Sequence, residues 1–183
     1  MGRAVRGAAA GLRRGGGCAL SAYGALRADG ERYAVRFERL YDATPDELWQ
    51  ALTDPDQLPG WPAHASRFEL VPDGRVRVVF EEGDETDGRI VELEPGRRLA
   101  FTWRSVGEGA DSVVRFEIVP AERGVRLVLE HAPLEREAVV GYAAGWHAHL
   151  DILAAVAPEG RPAMLERYRE LRPEYERRAA SLP

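Results

Sequence analysis

The sequence predicts an α+β fold in which a curved, seven-stranded antiparallel sheet wraps a long helix near the C-terminus. Three observations lead to this prediction. Seven short segments alternate apolar and polar residues, as half-buried strands do. Short turn signals separate most of these segments, which favours antiparallel hairpins. A short helix pair interrupts the series after the first strand, and the longest helical pattern follows the last strand.

The first strand and the helix pair open the predicted domain. The strand covers residues 33–41, "YAVRFERLY", where alternate side chains are apolar. The helix pair is expected over residues 44–62. Thr44 and Glu47 form a capping-box pattern at its start. Pro55 ends the first of the two helices, and the second is a short turn that brings a tryptophan toward the core.

Six further strands and two helices complete the predicted order. The strands are residues 67–71, 75–80, 88–93, 98–103, 112–119 and 125–131. Residues 135–157 carry apolar side chains at three- and four-residue spacing, which predicts the long helix. A strongly charged helix is expected over residues 163–178, interrupted near Pro173.

The chain is expected to form one folded domain with a segment at each end. Residues 1–20 are rich in Gly, Ala and Arg and are predicted to be a disordered tail. The domain covers residues 21–160, and residues 161–183 form the charged C-terminal helix. One cysteine, Cys18, excludes an internal disulfide and favours a reducing, cytoplasmic location. No apolar run is long enough to predict a membrane span.

Charge and motifs narrow the class of partner. The net charge is -5, and the first 28 residues carry five arginines and no acid, so the remainder is strongly acidic. This balance argues against nucleic acid as a partner. No phosphate loop, nucleophile elbow or cysteine cluster is found, so no cofactor is predicted. His147 and His149 point about 200° apart on a helix, and no metal site is predicted there.

Three sequence motifs resemble a known superfamily. They are "RFERLYDATPDELWQALTDPDQLPGW", "GRIVELEPGRRLAFTW" and the Gly-Trp pair at 145–146. Over about residues 33–157 the chain resembles the START-like, or SRPBCC, superfamily, and within it the single-domain bacterial type of the branch named for the activator of heat-shock protein 90 ATPase homologue. The resemblance implies a helix-grip (START-like) fold and binding of an apolar small molecule. It implies no catalytic residue. The tryptophans it carries over are structural or pocket-lining: Trp49, Trp61, Trp103 and Trp146.

A pocket is predicted between the sheet and the long helix. A single helix is about 10 Å across and cannot fill the concavity of a wide sheet. The space left over is expected to be a few hundred Å³, within the usual range for ligand sites. The alternative is that the same aromatic residues are ordinary core. The candidate ligand-binding residues are Trp61, Phe80, Trp103, His131, Tyr142, Trp146 and His149.

The polar candidates have two interpretations. His131 and His149 are either hydrogen-bonded core histidines or polar groups presented to the cavity, because a lone histidine needs a positioned partner before it acts as acid or base. His147 and Asp151 are four residues apart and are expected to form an exposed pair. Ser112 has no base at a recognisable spacing.

Three functions are therefore weighed. The first is a non-enzymatic protein that binds an apolar or aromatic small molecule, of unspecified identity, as a monomer or homodimer. The second is an enzyme of the aromatase/cyclase type that uses His131 or His149. The third is an interaction protein similar to the chaperone-ATPase activators. Histidine and carboxylate groups that converge in a dry pocket would indicate the enzyme. A large exposed apolar patch would indicate the interaction protein.

Overall fold

The structure is a computed structural model that describes residues 13–14, 22–54, 65–79, 85–105, 111–154 and 163–183. Nine strands and three helices are assigned within these residues. The strands are β1 (Arg13–Arg14), β2 (Ala25–Asp29), β3 (Arg32–Asp42), β4 (Ala65–Phe68), β5 (Arg75–Val79), β6 (Glu85–Glu94), β7 (Arg98–Ser105), β8 (Ser112–Pro120) and β9 (Val125–Leu134). The helices are α1 (Pro45–Thr53), α2 (Arg136–Leu153) and α3 (Met164–Ala179).

All strands belong to one antiparallel sheet with the order β1-β3-β9-β8-β7-β6-β5-β4, and β2 also pairs with β3. The predicted α+β fold, with an antiparallel sheet and a long helix toward the C-terminus, is confirmed. The predicted count of seven strands is wrong, because β1 and β2 precede the first predicted strand. The missed hairpin of β2 and β3 turns at Gly30, whose φ of 61° lies in the left-handed region that glycine accepts without strain.

Helix α1 begins as the capping box predicts. The Thr44 hydroxyl accepts from the Glu47 backbone N–H at 3.3 Å, and the Glu47 carboxylate accepts from the Thr44 backbone N–H at 2.8 Å. These two bonds satisfy donors that a helix start otherwise leaves unpaired. The second half of the predicted helix pair, residues 55–62, lies outside the described residues.

The core lies between the sheet and α2. Alternate residues of β3 and β9 point inward and are buried, and α2 packs against both of these strands. Ten of the 18 residues of α2 are buried, which is more than one helical stripe accounts for. Helix α2 is therefore covered on a second side as well.

Helix α3 supplies that second cover. It packs along α2 and buries Leu171 and Tyr175, while its outer face carries arginine–glutamate pairs such as Arg172–Glu176. The predicted interruption near Pro173 is wrong, because α3 continues through this proline to Ala179. None of the helices in the described part of the chain is both long and apolar enough to cross a bilayer.

The N-terminal segment is described only in part. Within residues 1–20, only Arg13 and Arg14 are described, and they pair with Asp42 and Tyr41 at the end of β3. The prediction of a disordered tail over residues 1–20 therefore stays a prediction.

Candidate functional site

Four of the predicted site residues meet between the sheet and α2. Trp103 lies on β7, His131 on β9, and Tyr142 and Trp146 on α2. We call these four residues the aromatic cluster. The ring centroids of Trp103 and Trp146 are 5.4 Å apart, and those of His131 and Tyr142 are 4.4 Å apart, both in edge-to-face geometry. Such pairs are a favourable arrangement of aromatic rings.

Local periodicity explains why these rings converge. Trp103 follows Phe101 on the inward face of β7, where alternate residues are buried. Tyr142 and Trp146 are four residues apart and therefore lie on one face of α2. Trp103 and Trp146 are each 3% exposed, whereas Tyr142 is half-buried. Tyr142 is thus the most exposed member of the aromatic cluster.

A chain of hydrogen bonds runs through the cluster. The Trp146 indole N–H donates to His131 Nδ1 at 3.0 Å. An indole nitrogen only donates, so Nδ1 of His131 is the acceptor and its ring proton is on Nε2. His131 Nε2 lies 2.7 Å from the Ser112 hydroxyl oxygen, which consequently accepts. The Ser112 hydroxyl donates onward to the Trp103 carbonyl oxygen at 3.2 Å.

This chain holds His131 in one neutral form. Burial lowers the pKa of His131 to about 3, and the donor at Nδ1 disfavours a second proton on the ring. A histidine that activates a serine must accept the hydroxyl proton. Here Nε2 already carries a proton and Nδ1 is already bonded, so the geometry favours a structural link between His131 and Ser112.

The sequence shows no base for Ser112 at a recognisable spacing, and the structure places His131 beside it. Strands β8 and β9 pair Val114 with His131, so Ser112 is two residues along β8 on the same face of the sheet. Diagonal neighbours of this kind are within reach of long or aromatic side chains. The strand register was the missing signal, since the two residues are 19 positions apart in the sequence.

The Trp103 indole N–H also has a partner within the cluster. It donates to the Tyr142 hydroxyl oxygen at 3.2 Å. This bond joins β7 to α2 across the centre of the cluster and ties the most exposed ring to a buried one.

The remaining predicted site residues are placed as follows. His149 is buried on α2 with its ring centroid 5.9 Å from that of Trp146, and burial lowers the pKa of His149 to about 3. Trp61 and Phe80 lie outside the described residues, so their predicted places on the pocket wall stay predictions. The described part of the chain contains no group of three His, Cys, Asp or Glu side chains arranged to hold a metal ion.

A second polar group lies on the other side of α2. His147 Nε2 is 3.7 Å from an Asp151 carboxylate oxygen, and the Arg167 side chain donates to Asp151 at 2.8 Å. His147 Nδ1 is 3.0 Å from the Tyr175 hydroxyl oxygen, which accepts from the Gly24 backbone N–H at 2.8 Å. The expectation of an exposed histidine–aspartate pair is wrong, because α3 covers this face and both side chains are mostly buried.

Comparison with a family model decides the family. The model of the Activator of Hsp90 ATPase homolog 1-like proteins matches residues 42–157. The chain belongs to this family. The matched range contains all four residues of the aromatic cluster together with Ser112, whereas β2 and α3 lie outside it.

Solved structures share the fold. The crystal structure of CalU16 from Micromonospora echinospora is 29% identical, covers 86% of this chain and 98% of its own, and superposes with a TM-score of 0.68. A solution structure of a protein from Bordetella parapertussis is also 29% identical, covers 90% of this chain and 94% of its own, and has a TM-score of 0.66.

A further structural relative comes from a biosynthetic locus. DynU16, described as a protein in the dynemicin biosynthetic locus, is 27% identical, covers 66% of this chain and 45% of its own, and has a TM-score of 0.58. The comparison with curated proteins finds no match. CalU16 and the Bordetella parapertussis protein are thus matched over nearly their whole length, whereas less than half of DynU16 is matched.

Proposed function

We propose that this protein binds an apolar or aromatic small molecule between the sheet and α2, against the aromatic cluster. One observation carries the proposal: buried aromatic rings from β7, β9 and α2 converge with only a few, fixed polar atoms among them. Ligand sites for small molecules have this composition, since apolar surface supplies the affinity and a few polar groups set the orientation. The place of DynU16 in a dynemicin biosynthetic locus supports a small-molecule ligand.

The proposed cavity has two walls. Trp103 belongs to the sheet wall, and Tyr142, Trp146 and His149 belong to the helix wall. The proposal adds Phe80 to the sheet wall and Trp61 to the mouth of the cavity. We expect this cavity to offer a few hundred Å³, the usual range for small-molecule sites.

Binding is favoured over catalysis by the state of His131. The cyclase-type alternative uses His131 or His149 as an acid or base, and such a group works best with a pKa near the operating pH. Burial instead lowers the pKa of both histidines to about 3. Both ring nitrogens of His131 are also engaged in the cluster's hydrogen bonds. The histidines therefore suit a fixed, neutral wall.

A thermal-unfolding screen tests the proposal. The purified protein is melted with fatty acids, fused-ring aromatic compounds and sterols, and co-purifying molecules are identified by mass spectrometry. A ligand at one hundred times its Kd should stabilise the fold by about 2.7 kcal/mol. Trp146→Phe, which removes part of the helix wall, should weaken the response.

Trp49→Phe is the matched control. The resemblance gives Trp49 as structural or pocket-lining. It lies on α1, and among the described rings no contact joins it to the aromatic cluster, so we treat it as structural and expect its response to equal that of the wild type. An equal loss in both variants, or no shift with any compound, contradicts the proposal. If no compound shifts the unfolding transition, protein interaction becomes the favoured function.

A further inference from the structure

Ser112 on β8 is bonded to the aromatic cluster although it is not one of the four rings. Its hydroxyl donates to the Trp103 carbonyl oxygen at 3.2 Å and lies 2.7 Å from His131 Nε2. Ser112 and His131 are both buried. Their hydrogen bonds therefore form in surroundings where a donor that loses its partner is costly.

His131 connects this serine to α2. Its Nδ1 accepts from the Trp146 indole N–H at 3.0 Å, and an indole nitrogen only donates. A neutral imidazole carries one proton, so that proton is on Nε2 and faces Ser112. The serine hydroxyl gives its own proton to the Trp103 carbonyl and offers a lone pair to Nε2. Both ends of the ring therefore require the same tautomer.

Without the Ser112 hydroxyl, neither tautomer of His131 keeps both of these bonds. With the proton on Nε2, a buried donor loses its serine acceptor, which is unfavourable. With the proton on Nδ1, two donors face each other and the bond to Trp146 is lost. Removal of the hydroxyl thus favours the second tautomer more than before, and in that tautomer the Trp146 ring is no longer bonded to β9.

We propose that Ser112 is a positioning residue of the ligand site: it selects the His131 tautomer that fixes the Trp146 ring, so that the helix wall is ordered before a ligand binds. This inference rests on the proposed function of the site. A side chain that is fixed in advance loses less conformational freedom on binding, which increases affinity. Ser112 acts through two other side chains and needs no contact with the ligand.

Nitrogen-15 NMR of the free protein tests the control of the tautomer. The two ring nitrogens of His131, assigned by their absence from His131→Gln, should show a proton on Nε2 in the wild type. In Ser112→Ala their two shifts should move toward each other, as expected when the two tautomers exchange. The Trp146 indole N–H resonance, assigned by its absence from Trp146→Phe, should move in Ser112→Ala as well.

A double-mutant cycle with an uncharged aromatic probe tests the effect on binding. Fluorescence titration with N-phenyl-1-naphthylamine gives the Kd of the wild type, Ser112→Ala, Trp146→Phe and the double variant. Ser112→Ala should weaken binding about fivefold, within the range that one hydrogen bond contributes. In the Trp146→Phe background no indole N–H remains for His131 to hold, so the same change should alter the Kd by less than about twofold.

Thr102→Val is the matched control. Thr102 lies on the opposite face of β7 from Trp103, and its hydroxyl accepts from the Arg89 backbone N–H at 2.9 Å. The change therefore removes a hydroxyl that also bonds to a neighbouring strand but has no contact with His131. The probe's Kd and the ring nitrogen shifts of His131 should equal those of the wild type.

The outcomes distinguish this inference from the proposed function. An unchanged His131 tautomer or an unchanged Kd in Ser112→Ala overturns the inference and leaves the proposed function standing. An effect of Ser112→Ala that is equally large in the Trp146→Phe background, or that Thr102→Val reproduces, also overturns it. Failure of the probe to bind any of these proteins contradicts the proposed function and this inference together.

Discussion

Two buried histidines, His131 and His149, couple the stability of the fold to pH. Burial lowers the pKa of His131 and His149 to about 3, whereas an unfolded histidine titrates near 6.5. Above the unfolded pKa both states are neutral and the full stability is present. As the pH falls below it, the unfolded chain binds protons that the folded chain does not, so stability is lost.

We expect each of these histidines to remove about 1.4 kcal/mol of stability per pH unit once the pH is below about 6. Urea titrations in steps down to about pH 5 measure this slope above the range where carboxylates titrate. His149→Gln should reduce this slope by about 1.4 kcal/mol per pH unit, the contribution of one proton. This change in slope is expected whatever the variant's stability at neutral pH. An unchanged slope in the variant would show that His149 is protonated in the folded protein.

Tyr175 carries a second residue-scale prediction. Its hydroxyl accepts from the buried Gly24 N–H and lies against His147 Nδ1, and burial raises the pKa of Tyr175 to about 12. Tyr175→Phe removes the hydroxyl that makes these two contacts without opening a large cavity. The free energy of unfolding, measured by urea titration, should fall by about 1–3 kcal/mol. Tyr168→Phe, on a more exposed part of α3, should cost less than about 0.5 kcal/mol. Equal costs would show that the Tyr175 hydroxyl contributes nothing specific.

At the scale of elements, α3 contains an internal proline with an exposed side chain. Pro173 is exposed, lies within the helix and cannot donate the backbone hydrogen bond of its position. Pro173→Ala should therefore raise the free energy of unfolding by about 1 kcal/mol, less than the full helix penalty because proline also restricts the unfolded chain.

Chemical denaturation with circular dichroism detects this gain. Arg169→Ala, another exposed change to alanine in α3, is the control and should stay within about 0.5 kcal/mol of the wild type. A loss of stability in Pro173→Ala would show that the proline is required for the path of α3 across α2.

Elements that depend on local physics were predictable from the sequence. The capping box of Thr44 and Glu47 set the start of α1, and strict alternation located β3 and the strands from β5 to β9. Strand β2 was missed because "ALRAD" is short and carries little apolar surface. The continuity of α3 through Pro173 was missed because local propensity disfavours it and tertiary contact decides.

For the candidate site, the sequence predicted which aromatic side chains point inward. Helical spacing put Tyr142 and Trp146 on one face, and strand alternation turned Trp103 and His131 inward. The partner of His131 was not predictable, because Ser112 reaches it through a strand register that no local pattern encodes. The burial of His147 likewise depends on which helix covers α2.

On the scale of the whole molecule, the segments that flank the family-matched range meet each other. Tyr23, which precedes β2, packs edge-on against Tyr175 of α3, and the Arg178 guanidinium lies 4.5 Å from the Tyr23 ring centroid. The Tyr33 hydroxyl donates to the Pro183 carbonyl oxygen at 2.7 Å. Together these contacts cover the face of α2 that the sheet leaves open, so α2 is enclosed from two sides.

This enclosure leads to the last prediction, which compares two truncations by urea denaturation. Deletion of residues 163–183 uncovers His147 and removes Tyr175 and Leu171 from the core, and burying each such side chain contributes about 1.5–3 kcal/mol. We expect a loss of about 3 kcal/mol or more. Ligand binding should also weaken, because α2 carries the helix wall of the proposed site. Deletion of residues 1–20 removes only the two-residue pairing of β1 from the described structure, and should change stability by less than about 0.5 kcal/mol. Equal effects of the two truncations would mean that α3 contributes no more to the core than the N-terminal segment does.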